Sequence, residues 1–178
     1  MATTKIQAAP QTAKRSFSAG SVISAIGRWI VRNRIYLIAF AIPAVLTYLA
    51  YALFGLYPFG EESVLCLDLN GQYVYYFEAL RDAFWGDGSI FYNWSRNLSG
   101  EFMGIIGYYL ASPFTLIVML LPEKFMLSSL LIMQLCKLGA AGATFNYFLQ
   151  KRRGVQPYPS LLFSTMYAMM AYGVIQLI

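Results

Sequence analysis

The sequence predicts an all-α integral membrane protein, a polytopic helical bundle with an outer loop that carries a juxtamembrane helix. Of its 178 residues, 58% are hydrophobic and only 12% are charged, whereas about a quarter of the residues in a soluble domain are charged. Several apolar runs reach about 20 residues, the length with which a helix crosses the hydrocarbon core of a bilayer. The charges are also sorted, since all eight acids lie between Glu61 and Glu123, after the first apolar run.

The N-terminal arm, residues 1–20, is small, polar and basic and has no apolar period, so we expect it to be disordered. Residues 1–34 contain six basic residues and no acid, which is the pattern of a cytoplasmic segment before a first membrane span. We therefore expect the N-terminus in the cytoplasm, beside anionic membrane lipids. Nucleic acid is not an expected partner, because the basic residues abut the span. Residues 21–33 could form an interfacial amphipathic helix.

The remaining residues, 21–178, are expected to form one membrane domain. Four spans are predicted, at about 35–56, 104–121, 125–148 and 158–178. The outer loop is predicted at 57–101. A cytoplasmic N-terminus places this loop outside the cell. Three full crossings would leave the basic cluster 151–153 outside as well, against the preference of basic residues for the cytoplasm. Either the run 104–121 is re-entrant, or the cluster binds something outside, such as a lipid phosphate.

Two residue types are expected to shape the spans. Pro43 and Pro113 lie inside apolar runs, and membrane helices tolerate such a proline with a kink. Gly139 and Gly142 lie inside the run 125–148, where small residues let neighbouring helices approach closely. We therefore expect a tight helix–helix contact at these two glycines.

A helix is predicted inside the outer loop, from Asp68 to about Trp85. The Asp68 carboxylate can cap its N-terminus, and Gly86 fits a C-terminal cap. An apolar face at spacings of three and four residues could lie on the membrane or under a neighbouring helix, and its members are Tyr73, Phe77, Leu80 and Phe84.

The loop also contains candidates for chemistry. In a partly buried site, the Asp68 carboxylate could act as a general base toward a hydroxyl group, but it could also be a plain helix cap. Arg81 and Arg96 are the two basic residues of the loop, and a guanidinium group can clamp a phosphate with two parallel hydrogen bonds. Arg81 could instead pair with Glu78, three residues earlier on the same helix.

Two further charges are candidates because of their location. Glu101 lies at the outer mouth of the run 104–121, where it could line a polar cavity or simply end the helix. Lys137 lies near the middle of the run 125–148, and a charge at that depth normally faces a bundle interior or a water-filled cavity and has a partner. That partner could be a ligand phosphate or a helix outside this chain.

Several classes of site are excluded or not expected. The chain has no histidine, which excludes a histidine-based metal site, a Ser-His-Asp triad and a Cys-His pair within it. No metal site is predicted, because the spacing of the acids matches no known metal loop, although two of them could hold a hard divalent cation. The loop acids other than Asp68 and Glu101 are expected to form a solvated face: Glu61, Glu62, Glu78, Asp82 and Asp87.

An ordered set of motifs resembles the YfhO family of bacterial membrane proteins. The set is YPFG, DLNGQY, FEALRD, GDGS, YNWSRNLSGEFMG and YYLASPF, in this order and at close spacing, and the resemblance runs from about Arg28 to Tyr172. It implies the N-terminal part of a GT-C-type glycosyltransferase. Such an enzyme takes a sugar from a polyprenyl-phosphate carrier on the outer face of the membrane, here to decorate teichoic acid in a Gram-positive bacterium.

The resemblance also implies roles for individual residues. Asp68, in the DLNGQY box, matches the acidic residue of the first outer loop that serves GT-C enzymes as catalytic base or positions the acceptor. As hypotheses, Asn70 and Gln72 bind sugar hydroxyls and Tyr73 supplies a stacking surface. The carrier phosphate is assigned to Arg81, Arg96 and Lys137, and Glu101 is a further substrate-binding candidate.

The partners expected on this basis are a polyprenyl-phosphate sugar donor, an anionic cell-envelope polymer and membrane lipids, with no organic cofactor and a divalent cation left open. Family members are several times longer, so the chain is expected to be an N-terminal fragment or a truncated gene product, inactive alone. Two other classes stay open. A transporter or flippase fragment would fit Lys137 and the proline-interrupted spans, and a non-catalytic membrane scaffold would depend on Gly139 and Gly142.

Overall fold

The computed structural model describes residues 19–63, 69–94 and 100–175. These residues fall into two compact units, one that ends at Arg34 and one that begins at Ile35. The α-helices are α1 Ala19–Leu53, α2 Val74–Trp85, α3 Met103–Ile105, α4 Thr115–Leu120, α5 Met126–Arg153, α6 Pro157–Ala168 and α7 Ala171–Ile175. The other elements are π-helical turns Leu69–Tyr73 and Ile106–Leu110, a 3₁₀ turn Glu123–Phe125, and strands β1 Tyr92–Asn93 and β2 Gly100–Glu101.

Helix α1 is one continuous helix, so the interfacial helix expected over 21–33 and the span expected over 35–56 are a single element. In the described part of the first unit its apolar side chains are exposed, with Trp29 at 51%. The helix ends where Gly55 takes a positive φ of 65°, a conformation open to glycine because it has no Cβ. The stretch Val22–Leu53 is long and apolar enough to cross a membrane.

Helix α5 is the second such helix, because the stretch Glu123–Arg153 is also long and apolar enough to cross a membrane. It contains the predicted span 125–148 and continues to Arg153, after which Gly154 caps it with a φ of 64°. Among the described residues, these two stretches are the ones that meet the criterion. The described residues are thus largely helical and include two candidate spans, and the other two predicted spans stay predictions.

Helices α1 and α5 run antiparallel within the second unit and approach each other closely over a short stretch, which we call the seam. The Tyr36 and Tyr147 rings lie 5.7 Å apart at one end, and the Tyr51 hydroxyl donates to Gln134 Oε1 nearer the other. Between these points a Cβ on Gly142 would collide with the backbone carbonyl of Ala39. A Cβ on Gly139 would lie 2.8 Å from the Phe40 ring, so the tight contact predicted at both glycines is confirmed.

Helix α6 is joined to α5 by buried polar groups. Asn146, which is 0% exposed, donates through Nδ2 to Ser160 Oγ at 3.1 Å and to Ser164 Oγ at 3.3 Å. Gln150 Nε2 in turn donates to Asn146 Oδ1 at 2.6 Å. Such hydrogen bonds link helices in an apolar environment that offers their polar groups few other partners.

The predicted span 104–121 is not one helix. It divides into α3, the second π-helical turn and α4, with a non-helical break at 111–114. Pro113 disfavours the helical conformation at the residue before it, and Ser112 satisfies the broken backbone by accepting the Thr115 N–H through its carbonyl at 3.0 Å. The run is therefore not one kinked helix, and the choice between a crossing and a re-entrant segment stays a prediction.

The predicted span 158–178 is also interrupted. Helix α6 has 12 residues, about 18 Å at 1.5 Å per residue, which is shorter than the hydrocarbon core of about 30 Å. It ends at Ala168, and the short α7 begins at Ala171. Residues 176–178 lie outside the described residues.

The loop helix predicted over about 68–85 is confirmed for its described part, as the first π-helical turn followed by α2 and capped by Gly86. Its apolar face is buried under neighbouring elements rather than exposed, with Phe77 and Leu80 each only 4% exposed. Phe84 departs from this face, since 58% of it is exposed. The core beneath α2 consists of Leu69, Phe77, Leu80, Phe102, Ile105, Leu110, Val118, Met126, Leu130 and Met133.

Candidate functional site

A cleft of about 350 Å³ opens between α2 and the β1–β2 ribbon. Its volume lies in the range of small-molecule pockets, about 300–1,000 Å³. We call it the acidic–aromatic cleft, because its walls combine carboxylates with aromatic rings over an apolar floor. Its principal lining residues are Glu78, Asp82 and Asp87, then Tyr75, Tyr76, Tyr92 and Trp94, then Phe102 and Ile105.

Helix α2 forms one wall because its two faces differ. Tyr75, Glu78 and Asp82 follow one another at spacings of three and four residues, so their side chains share one face of the helix. Phe77 and Leu80 point into the core from another face. Burial of the apolar face therefore fixes the orientation of the acidic face toward the cleft.

The GDGS loop adds the third carboxylate. The backbone carbonyl of Asp82 accepts hydrogen bonds from the N–H groups of Gly86 and Gly88, each at 3.0 Å. A Cβ on Gly88 would lie only 2.8 Å from the backbone nitrogen of Ala83, so the loop packs this closely because glycine is present. The loop folds back over the end of α2 and places Asp87 on the same cleft as Asp82.

The ribbon forms the opposite wall. Tyr92 pairs with Glu101 and Asn93 with Gly100 in an antiparallel register. The Tyr92 and Trp94 rings meet edge to face with centroids 4.7 Å apart. Trp94 is 81% exposed, so its ring is accessible to a ligand in the cleft.

The electrostatics of the cleft centre on Glu78. Partial burial raises the pKa of its carboxyl group, and the nearby carboxylates of Glu123 and Asp82 raise it further, against the opposing charge of Arg81. Glu78 therefore retains its proton to a higher pH than an ordinary glutamate. A protonated carboxyl group can donate a hydrogen bond as well as accept one.

The described residues predicted from the DLNGQY box do not line the cleft. Asn70 and Gln72 are exposed on the π-helical turn. Tyr73 is half-buried and packs edge to face on Tyr109, with ring centroids 5.2 Å apart, so this ring contacts protein rather than an open surface. Asp68 and Arg96 lie outside the described residues, and their predicted roles stay predictions.

The other predicted charges are dispersed. Glu101 Oε2 accepts the Gly104 N–H at 2.8 Å. Of the two alternatives predicted for Glu101, this contact agrees with a residue at the end of a helix. Arg81 is half-buried on α2, and within the described parts of the chain its buried Nη1 has no hydrogen-bond partner. Lys137 is half-buried on α5 near the midpoint of the Glu123–Arg153 stretch. In the described structure no carboxylate pairs with Lys137.

The structure therefore brings together residues that the sequence did not indicate as a site. The acids Glu78, Asp82 and Asp87 had the pattern of a solvated face. The signal that could have found them is the combination of the GDGS loop with an acidic helix face directly before it. Among the described residues, no group of three or more potential ligands lies close enough to hold a metal ion.

Fold and site together define a class: a helical protein with two helices that could cross a membrane, and a folded segment between them that bears an acidic–aromatic cleft. The chain belongs to the YfhO family, since the family model of the bacterial membrane protein YfhO matches residues 39–178. The resemblance carried by the sequence motifs is thereby confirmed. No curated protein and no solved structure gives a significant match to the chain.

Proposed function

We propose that this chain is the N-terminal part of a membrane glycosyltransferase, which moves a sugar from a polyprenyl-phosphate carrier to a cell-envelope polymer such as teichoic acid. The observation that carries the proposal is the acidic–aromatic cleft, which follows the DLNGQY box in a member of a bacterial membrane protein family. Carboxylates accept hydrogen bonds from sugar hydroxyls, and flat aromatic rings cover the apolar faces of a pyranose. The cleft therefore suits a carbohydrate.

The antiparallel course of α1 and α5 supports a location of the cleft outside the cell. If each helix crosses the membrane once, the chain returns to the side on which it began. The basic residues before the first span and the basic cluster 151–153 then both lie in the cytoplasm, as the preference of Lys and Arg requires. The segment 54–122, which contains the cleft, lies on the opposite side. The conflict created by three crossings is removed, because 104–121 does not cross as one helix.

The proposed reaction is a displacement at the anomeric carbon of the donor sugar. Asp68 accepts the proton of the acceptor hydroxyl as its oxygen attacks that carbon. The bond between the anomeric carbon and the phosphate oxygen breaks, and polyprenyl phosphate leaves with the bonding electron pair. In the sequence, Asp68 directly precedes the turn Leu69–Tyr73 that leads into the cleft helix α2.

The carrier phosphate requires cations outside the cleft. Arg81 and Arg96 are proposed to contact it, because a guanidinium group can bind a phosphate through two hydrogen bonds. The buried and unpartnered Nη1 of Arg81 supports this role within the described residues. Lys137 is a third candidate, since an intramembrane ammonium group indicates a functional site and no carboxylate of the described residues pairs with it.

The test is to introduce Asp68→Asn into the gene at its natural locus and to measure the sugar content of purified teichoic acid by NMR. Asparagine keeps the size and the capping ability of aspartate but cannot take up the proton. We expect a loss of at least about 100-fold in transfer, the usual contribution of a general base. The membrane level of the protein should stay unchanged on an immunoblot.

Glu61→Gln is the control, because it removes one charge from an exposed position of the same loop that does not line the cleft. It should leave the sugar content unchanged. Normal sugar content in the Asp68→Asn strain would show that Asp68 is not the general base and would leave the helix cap as its role. Unchanged sugar content after deletion of the whole gene would exclude teichoic acid as the acceptor and favour a transporter.

A further inference from the structure

We infer that the acidic–aromatic cleft takes an uncharged pyranose ring and excludes phosphate, so that the phosphate end of a lipid-linked substrate lies outside it. The inference rests on the proposed function and names the part of the substrate that this site holds. It follows from the sign of the charges, their distribution and the rings that face them.

The sign of the charges comes first. Three carboxylates line the cleft, those of Glu78, Asp82 and Asp87, and no lysine or arginine lines it among the described residues. A phosphate placed there would face like charges at short range, where the interaction is several times stronger than in bulk water. Like charges opposed in this way act as a barrier to the wrong ligand. Arg81, the cation of α2, does not line the cleft, and its Nη1 is buried.

The distribution of the carboxylates argues against a metal cation as the natural occupant. Glu78 and Asp82 lie one helical turn apart on α2, and Asp87 lies on the loop that folds back over its end. In the described part of the chain they do not form a group that could hold a metal ion. Acceptors spread along a wall match the several hydroxyl groups of a sugar ring, each of which donates one hydrogen bond.

The opposite wall supplies uncharged surface. Trp94 and Tyr75 expose 81% and 60% of their surfaces, while Phe102 is 1% exposed and forms part of the floor. Rings of this kind cover apolar C–H faces and offer no positive charge to a phosphate. Aromatic walls that face carboxylates therefore fit a ring with hydroxyls at its edge and no net charge.

The experiment is a binding measurement on the full chain in lipid nanodiscs, with two matched probes: methyl glucopyranoside and its 6-phosphate, whose phosphate lies away from the anomeric carbon that bears it in the lipid-linked donor. Ligand-observed saturation-transfer NMR gives the affinity of each, and a galactose pair repeats the comparison. We expect the neutral probe of at least one pair to bind at least tenfold more tightly than its phosphate. The ratio of the two affinities, neutral probe over phosphorylated probe, should fall at least threefold in the double variant Asp82→Asn, Asp87→Asn.

Trp94→Ala should abolish the binding of the neutral probe, whereas Tyr158→Ala, which removes an equally exposed ring (81%) from α6, should leave it unchanged. Equal losses in the two variants would overturn the inference. So would phosphate binding as tight as neutral binding, or no binding of either neutral probe.

The measurement is independent of catalysis. Neutral-sugar binding together with normal teichoic acid in the gene-deletion strain would contradict the proposed function and leave the cleft as a sugar site. Gene-dependent glycosylation without neutral-sugar binding would keep the transferase and exclude this cleft as the place of the sugar.

Discussion

The seam between α1 and α5 and the acidic–aromatic cleft use small residues and aromatic rings in opposite ways. At the seam, Gly142 brings one backbone against another, and the Phe40 ring fills the space over Gly139. In the cleft, Gly88 also allows a close backbone approach, but the result is an open space lined by exposed rings. The seam excludes every other molecule, whereas the cleft leaves about 350 Å³ for one.

The difference shows that the contacts that stabilise the fold and the residues that line the open cleft lie in separate parts of the chain. The seam and the α5–α6 contact satisfy their polar groups within the protein, as the bonds of Asn146 show. The cleft collects carboxylates that repel one another, and the raised pKa of Glu78 reflects part of that repulsion. Substitutions at the seam should therefore reduce stability, and substitutions that remove charge from the cleft should not.

The largest effect is expected from Gly142→Ala. The new Cβ would collide with the Ala39 carbonyl and lie 3.1 Å from Pro43 Cγ, so the helices must separate. Overpacking of this kind costs about 1–3 kcal/mol, visible as a lower melting temperature in detergent.

Gly27→Ala is the matched control, because it changes a helical glycine with nothing within 4 Å of the new Cβ. There the same substitution should stabilise the protein by about 0.5–1 kcal/mol, since alanine loses less entropy in a helix. Equal melting temperatures for the two variants would show that the seam is not closely packed.

A smaller effect is expected from Asn146→Leu, which keeps the volume of the side chain and removes its hydrogen bonds. Ser160 and Ser164 can still donate to the carbonyls of Pro157 and Leu161, so the loss should stay within about 0.6–1.7 kcal/mol, the range for hydrogen bonds between membrane helices. Thermal unfolding in detergent measures it. A loss above about 3 kcal/mol would mean that the polar groups, rather than the apolar packing around them, hold α5 and α6 together.

The smallest effect is expected from Glu78→Gln, and it has the opposite sign. Because the pKa of Glu78 is raised in the folded state, the folded protein binds more protons than the unfolded chain above the ordinary glutamate pKa of about 4.3. Stability is then greatest below that value and falls as the pH rises through the folded-state pKa. Glutamine does not ionise, so the Glu78→Gln variant avoids this loss of stability. It should be slightly more stable than the unsubstituted protein at neutral pH and equally stable at pH 4.

Melting temperatures recorded from pH 4 to pH 8 check this prediction, with Glu61→Gln as a control that removes an equal charge outside the cleft. A destabilised Glu78→Gln variant at neutral pH would show that the Glu78 carboxylate is stabilised by its partners and that the cleft is less repulsive than we infer.

The parts of the fold that the sequence predicted are those set by local periodicity. Long apolar runs predicted α1 and α5, and α2 was predicted from its start beside Asp68 to the cap at Gly86. The sequence left the run 104–121 open between a kinked span and a re-entrant segment, because a proline in an apolar run is compatible with both. The two-residue strands of the ribbon are too short for an alternating pattern to reveal them.

The site was less predictable because it depends on contacts between segments, which periodic patterns in the sequence do not encode. Asp87 reaches the cleft because two N–H groups of the loop bind the Asp82 carbonyl, and the side on which Trp94 lies depends on the pairing of Tyr92 with Glu101. Neither arrangement can be read from residue type and spacing alone. Residue type did indicate Tyr73 as a surface for a ligand, but its ring packs on Tyr109.

The glycine contact on α5 also acts as a mechanical stop. If α5 slid along α1 by about one turn in either direction, Leu138 or Asn146 would replace Gly142 against the Ala39 carbonyl, and neither side chain fits where a single methyl group already collides. One-turn ratchets of this kind move elements in some switching proteins. Within the second unit, this contact therefore opposes a one-turn slide of α5 along α1.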